Sequence, residues 1–212
     1  MNRNVISKIV KASGVSAGEM VLVHFWGEDA DKEIANNFMT AVAEMGASPV
    51  LLQQSRTMNR DMFLAANESC FHEAYFDLFT RFDAVLDVFA YRPVILGYEI
   101  GEEKFELYRR YMAQLFSRLM SCKRFTQIRI PTEANAEESG LAPQDYIRCM
   151  ERAYDIDYTA LYEACKEAKD RFAGVHKVLL RTGENCVLSV SLNGRAWHID
   201  AGDGDLPCGE IY

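Results

Sequence analysis

The sequence predicts an α/β fold: a mostly parallel, Rossmann-like sheet with helices on both faces, followed by the start of an antiparallel β region. Three observations predict it. Short continuous apolar runs at Met20–Trp26 and Ala84–Phe89 read as strands buried on both faces, the habit of parallel sheets. Amphipathic stretches with an apolar period of three to four residues alternate with those runs. Past Gly174 the pattern changes to simple alternation, as in strands with one solvated face.

Taken in order, Val5, Ile6, Ile9 and Val10 have helical spacing, and Gly14 is a suitable stop. The strand Met20–Trp26 leads into a helix over 29–46 with the stripe Ile34, Phe38, Val42 and Met45. Asp29 and Asp31 suit its positive end, and Gly46 suits its termination. Residues 49–52 form a second short strand, completing a βαβ unit. Residues 58–81 are mostly helical with a break near Asn67, and Ala84–Phe89 is the third strand. A loop over 91–101 carries Arg92, Pro93 and two glycines. The clearest helix spans 102–123, with Phe105, Tyr108, Met112, Leu115 and Leu119 on one face. A fourth strand over 125–130 alternates and so belongs nearer an edge. Short helices follow at 133–138 and from Pro143, where a missing N–H costs nothing. A last helix over 157–173 carries Leu161, Cys165, Ala168 and Phe172 on its stripe. Strands are then expected over 175–180 and 187–192, and another over 195–200. Asn193-Gly194 between the last two is a strong hairpin signal, because a type I′ turn needs positive φ twice. The change of pattern divides the chain into 1–173 and an incomplete 174–212.

The chain has 212 residues, 49% apolar and 25% charged, which is ordinary globular composition. Its formal charge of -8 opposes nucleic acid or an anionic membrane as a partner. No run approaches the roughly 18 apolar residues of a membrane span, and residues 1–14 lack the apolar centre of an export signal. The six cysteines are scattered without a CxxC pair, so zinc-ribbon spacing is absent and reduced thiols in a cytoplasmic protein are expected. Cys165 reads as buried; Cys208, in the terminal loop, is a functional candidate if its environment lowers its pKa.

The turn after the first strand is Gly27-Glu28-Asp29-Ala30-Asp31, with one glycine and three acids. Acids repel phosphate, which excludes the dinucleotide and P-loop classes; helix capping explains the aspartates. None of His24, His72, His176 and His198 pairs at metal-ligand spacing. His24 reads as a hydrogen-bonded core residue, and His198 as a strand histidine that could face a site. The end of the chain, Ala201–Tyr212, is Gly-rich and carries Asp203, Asp205 and Glu210. It lacks the DxDxDG spacing of a calcium loop, and by residue type alone a solvated loop is favoured over a metal site.

Several segments resemble one family. They are the run from Ile130-Pro131-Thr132 to Ser139-Gly140-Leu141, Asp145-Tyr146, Asp155-Ile156-Asp157-Tyr158, Leu192-Asn193-Gly194-Arg195-Ala196-Trp197, and Leu206-Pro207-Cys208-Gly209-Glu210-Ile211-Tyr212. In order and spacing they resemble the aminopeptidase T / aminopeptidase S metallopeptidases over roughly residues 120–212. The resemblance implies a divalent metal pair (zinc, cobalt or manganese), with Glu210 as its first ligand and the other ligands and catalytic residues outside this sequence. It implies a peptide substrate, a homo-oligomer, and a catalytic domain beginning at about 174. No metal is expected to bind to this chain alone. The sequence departs from the family where Glu184-Asn185-Cys186-Val187 replaces the usual Gly-Thr-Asp-Leu and Asp205 replaces Asn. A ring-cleaving dihydroxypyridine dioxygenase has a similar scaffold, so fold leaves the reaction class open. A stand-alone binding or assembly module is the non-enzymatic alternative.

Overall fold

β1 (Met20–Trp26) and β3 (Ala84–Phe89) are the apolar runs of the sequence, and they lie side by side inside one sheet. In this computed structural model all residues except 94–98, 193, 195 and 203 are described. Beside the inner pair are β2 (Ser48–Gln54), β4 (Arg124–Arg129) and the two-residue β8 (Asp205–Leu206), in the order β2-β1-β3-β4-β8. Every neighbouring pair is parallel. β3 is buried throughout, whereas β2, at an edge, is half exposed. β4 lies one place in from the other edge, where β8 pairs with it only through Gln127 and Ile128. Its partial alternation reflects that short cover.

Successive strand residues point to opposite faces, so each apolar strand needs two layers of cover. Leu22 and Val85 meet α3 (Arg56–Ala65), α4 (Glu73–Asp77) and α5 (Glu102–Leu119) in a core that includes Phe63, Phe76, Tyr108 and Leu115. Its aromatic rings pack edge-on, as the ring quadrupole favours; Phe63 and Tyr108 have centroids 5.0 Å apart at 76°. The Tyr111 hydroxyl is satisfied inside this core by Gln54 Nε2 at 3.3 Å and Tyr75 Oη at 3.2 Å. α2 (Lys32–Glu44) packs on β1 and β2, and α1 (Arg3–Ala12) packs on α2. Val5, Ile6, Ile9 and Val10 of α1 are all buried, as their spacing predicts.

The segments that carry the family resemblance have structural work in this chain. Thr132 caps α6 (Glu133–Glu138) by accepting from the Asn135 N–H at 3.1 Å. Asn135 Nδ2 donates to the carbonyls of Phe89 and Ile130 at 3.0 and 2.8 Å, tying the ends of β3 and β4 together. At the end of α7 (Pro143–Tyr154), Tyr154 Oη shares its one proton between the Arg129 and Leu206 carbonyls, at 2.6 and 2.7 Å. That anchors β8 beside β4. Gly202, just before β8, has φ +137, and a Cβ there would come within 2.6 Å of the Ala12 Cβ. Glycine is required by both the conformation and the space.

The chain forms two compact units, residues 1–156 with 202–207, and residues 157–201 with 208–212. The pattern change at Gly174 thus lies within the second unit. There α8 (Tyr158–Phe172) is capped by Asp157 Oδ1, which accepts from the N–H groups of Thr159 and Ala160 at 2.9 and 3.1 Å. β5 (Lys177–Arg181) and β6 (Val187–Ser191) pair antiparallel, as do β7 (Ile199–Asp200) and β9 (Glu210–Ile211). This corrects the expected hairpin between 187–192 and 195–200. β6 pairs with β5, placing Val178 opposite Val190 and Leu180 opposite Leu188, and the later strand is reduced to Ile199–Asp200. Cross-strand apolar matching outweighs the local turn signal. Asn193 and Arg195 lie outside the described residues. Trp197 instead packs against Phe172, with centroids 5.2 Å apart. Among the described residues, no helix is long and apolar enough to cross a membrane.

Candidate functional site

Parallel register brings four polar residues into one rank across the sheet. His24 on β1 is opposite Asp87 on β3, Asp87 opposite Gln127 on β4, and Gln127 opposite Asp205 on β8. His24 and Asp87 are fully buried. Asp87 Oδ1 meets His24 Nδ1 at 2.8 Å and accepts from Trp26 Nε1 at 3.2 Å. Its Oδ2 accepts from Gln127 Nε2 at 3.1 Å. The two carboxylate oxygens of Asp87 thus serve three neighbouring nitrogens. The Asp87 contact assigns the proton of a neutral His24 to Nδ1, leaving Nε2 as an acceptor. Among the described residues, the buried Nε2 has no hydrogen-bond partner. The imidazole is held edge-on between Trp26 and Phe116, at 5.2 and 5.8 Å. His24 is therefore a hydrogen-bonded core residue, as expected, but one with an open nitrogen.

Beside this rank lies a cavity of about 370 Å³, to which Gln127 contributes. Phe89, Phe116 and Leu206 supply apolar wall, while Arg92 and Arg129 supply cations. A reading by motif misses this group because its members are far apart in sequence. The available signal was a polar residue inside each of the two apolar strands, His24 and Asp87.

A second polar cluster lies at the carboxyl ends of the strands. In the order β2-β1-β3, the connections from β1 and β3 diverge, and ligands of open α/β sheets occupy the crevice between them. Here the protein's own side chains meet across that position. Tyr91 Oη, after β3, donates to Glu28 Oε1, after β1, at 2.9 Å. The Arg56 N–H contacts both Glu28 Oε1 and Tyr91 Oη at 3.0 Å. The Arg56 guanidinium lies 4.0 Å over the Tyr91 ring and pairs with Glu138 at 2.6 Å. Burial pushes the Glu28 carboxyl pKa up, but hydrogen bonds from Tyr91, Ser55, Arg56 and Thr57 outweigh it, leaving the pKa below the ordinary value. Burial is also the largest cause of the raised Tyr91 pKa. An anionic carboxylate at this position disfavours phosphate, in line with the acidic turn. Asp31 Oδ2 accepts from the Glu28 N–H at 3.0 Å, the capping role expected of it.

The residues singled out near the end of the chain are not gathered into one site by the described structure. Glu210 lies exposed on β9, opposite Asp200. Asp205 belongs to β8 in the first unit and Glu210 to the second, while Asp203 lies outside the described residues. His198 exchanges backbone hydrogen bonds with Tyr212 at 2.8 and 3.1 Å. His72 and His176 are exposed. None of the six cysteines is in a disulfide; Cys165 is buried and Cys208 half-buried. Among the described residues, no three His, Cys, Asp or Glu side chains come together as a metal site.

No protein-family profile matches the sequence, and neither does any curated protein. The fold does have counterparts among solved structures. AmpT from Thermus thermophilus, an aminopeptidase, is similar over 98% of this chain and 60% of its own, with a TM-score of 0.65 and 16% identity. The 2,5-dihydroxypyridine dioxygenase of Pseudomonas putida KT2440 is similar over 99% of this chain and 54% of its own, with a TM-score of 0.55 and 11% identity. This chain is distantly aminopeptidase-like in fold. It spans between half and two thirds of each of those proteins.

Proposed function

We propose that this chain is the amino-terminal α/β portion of a metal-dependent aminopeptidase-like enzyme, to which it contributes Glu210 as a metal ligand. The observation that carries this reading is the likeness to AmpT over 98% of the chain. The ordered segments from Ile130 to Tyr212 that resemble aminopeptidase T support it. The described residues alone do not fit a two-metal centre, since no three potential ligands converge. The remaining ligands would come from outside them, and no catalytic step is assigned to residues of this chain. A peptide with a free N-terminus would be the substrate, and a homo-oligomer the assembly.

A second reading, metal-dependent ring cleavage by a dioxygenase, is favoured by the likeness to the Pseudomonas enzyme. The test is to assay the complete product of the coding sequence with zinc, cobalt or manganese on aminoacyl chromogenic substrates. Glu210→Gln is expected to reduce metal-dependent turnover roughly a hundredfold or more, the scale of losing a metal-site group. Turnover indifferent to metal or to that substitution overturns the peptidase reading. Consumption of oxygen with 2,5-dihydroxypyridine, without peptidase turnover, selects the second reading. Absence of both reactions selects the binding or assembly module.

A further inference from the structure

We infer that the cavity beside Gln127 is a binding site for a small organic monoanion with a flat apolar body, such as an aromatic carboxylate. The inference does not rest on the peptidase reading, since it uses neither Glu210 nor a metal. The volume of about 370 Å³ is within the range of small-molecule sites. Phe89 and Phe116 offer aromatic surface, and Leu206 and Pro93 extend the apolar wall. An apolar ring that leaves water for such a surface is stabilised in proportion to the area covered.

Charge selects the sign of the ligand. Arg92 and Arg129 both line the cavity, and among the described residues neither guanidinium makes a hydrogen bond or ion pair. Asp205 is also on the lining, so two cations face one carboxylate, and the balance favours a single negative charge. A planar guanidinium matches a carboxylate in two parallel N–H···O bonds, a geometry unavailable to a neutral amide.

The polar floor is held in place from behind. Gln127 Nε2 is committed to Asp87, and Asp87 is fixed in turn by His24 and Trp26. Burying an aspartate and a histidine in mid-sheet is costly, and apolar residues of similar volume commonly give equal or greater stability. The chain nevertheless has this rank behind a cavity wall, with Phe116 both lining the cavity and packing on the His24 ring. His24 is thus positioned to sense the occupant through Phe116 and Gln127, and its buried open Nε2 is the spectroscopic reporter.

The test uses isotope-labelled chain titrated with benzoate, benzamide and benzylamine, followed by nuclear magnetic resonance. Benzoate is expected to shift the Gln127 side-chain amide and the His24 ring signals saturably, with a Kd on the order of 1 mM for so small a ligand. Benzamide is expected to bind roughly tenfold more weakly, and benzylamine not to bind. Arg92→Gln and Arg129→Gln should each weaken benzoate roughly fivefold, whereas Arg148→Gln, on the exposed face of α7, should not. The inference is overturned by no saturable shift at Gln127 or His24 up to about 20 mM benzoate. Equal binding of benzylamine, or unchanged affinity in both arginine variants, overturns it as well. The comparison of the three probes on the parent chain decides the matter even if a variant fails to fold.

Discussion

Asp87 shows how much of this molecule depends on one side chain. It is fully buried and satisfies His24, Trp26 and Gln127 at once. Asp87→Ala would leave three buried donors without their acceptor and open a hole between β1 and β4. The expected loss is about 3–5 kcal/mol, visible as a lower urea midpoint; a loss below about 1 kcal/mol would show that the rank is not satisfied as described. Glu19 is a milder case with a pH signature. The hydrogen bond from Arg124 is the largest cause holding the Glu19 carboxyl below its ordinary pKa, despite some burial, and the Ser16 N–H at 2.9 Å adds to it. A depressed folded pKa means stability that is present above the unfolded carboxylate value and lost as pH falls through the folded one. Glu19→Gln should therefore lower the melting midpoint at pH 7 by roughly 1–3 °C. The gap to the parent chain should close as the pH drops below the ordinary glutamate range. A gap that is constant from pH 7 to pH 3 would remove Arg124 pairing as its cause.

At the scale of elements, the β5–β6 hairpin is the exposed one. Leu179, Leu180, Val187 and Leu188 are each more than half exposed, and Val190 is 38% exposed. A two-stranded ribbon with bare edges is marginal in water and presents unpaired backbone to any other strand. Concentration-dependent self-association is expected, measured by light scattering. Leu180→Lys with Leu188→Glu, an opposed pair in the ladder, should increase the monomer fraction severalfold. A chain that is strictly monomeric at high concentration would count against this. The same hairpin shows which elements could be read in advance. β1 and β3 were legible because burial on both faces demands mostly apolar runs, each here interrupted by one polar residue, His24 or Asp87. The pairing of β6 was not, because Asn193-Gly194 describes only a few bonds, whereas register is decided by the sum of Val178–Val190 and Leu180–Leu188 contacts. β8 was hidden for a different reason: two residues carry no periodicity, and Asp205–Leu206 joins β4 through a two-residue ladder that the Tyr154 bond to the Leu206 carbonyl reinforces. The rank from His24 to Asp205 was invisible in turn, since it exists only once that strand order does.

For the molecule as a whole, the question is what a chain with 60% of the span of an aminopeptidase can do by itself. Glu210 is exposed on a two-residue strand, and its backbone pairing with Asp200 fixes the strand and not the side chain. A catalytic zinc needs three protein ligands and an open position, and its ligands need neighbours that hold their rotamers. Among the described residues no such trio exists. One exposed carboxylate leaves a divalent ion largely hydrated, and desolvating the ion for a single ligand is unfavourable. The 212-residue chain, titrated with zinc, cobalt or manganese in a calorimeter, is therefore expected to show no stoichiometric binding tighter than about 1 μM. Aminoacyl chromogenic substrates should be released no faster than in buffer with the same metal. Stoichiometric binding below that concentration, or turnover that vanishes in Glu210→Gln, would mean that the chain completes a metal centre by itself. The proposed aminopeptidase-like activity would then reside in this α/β chain by itself.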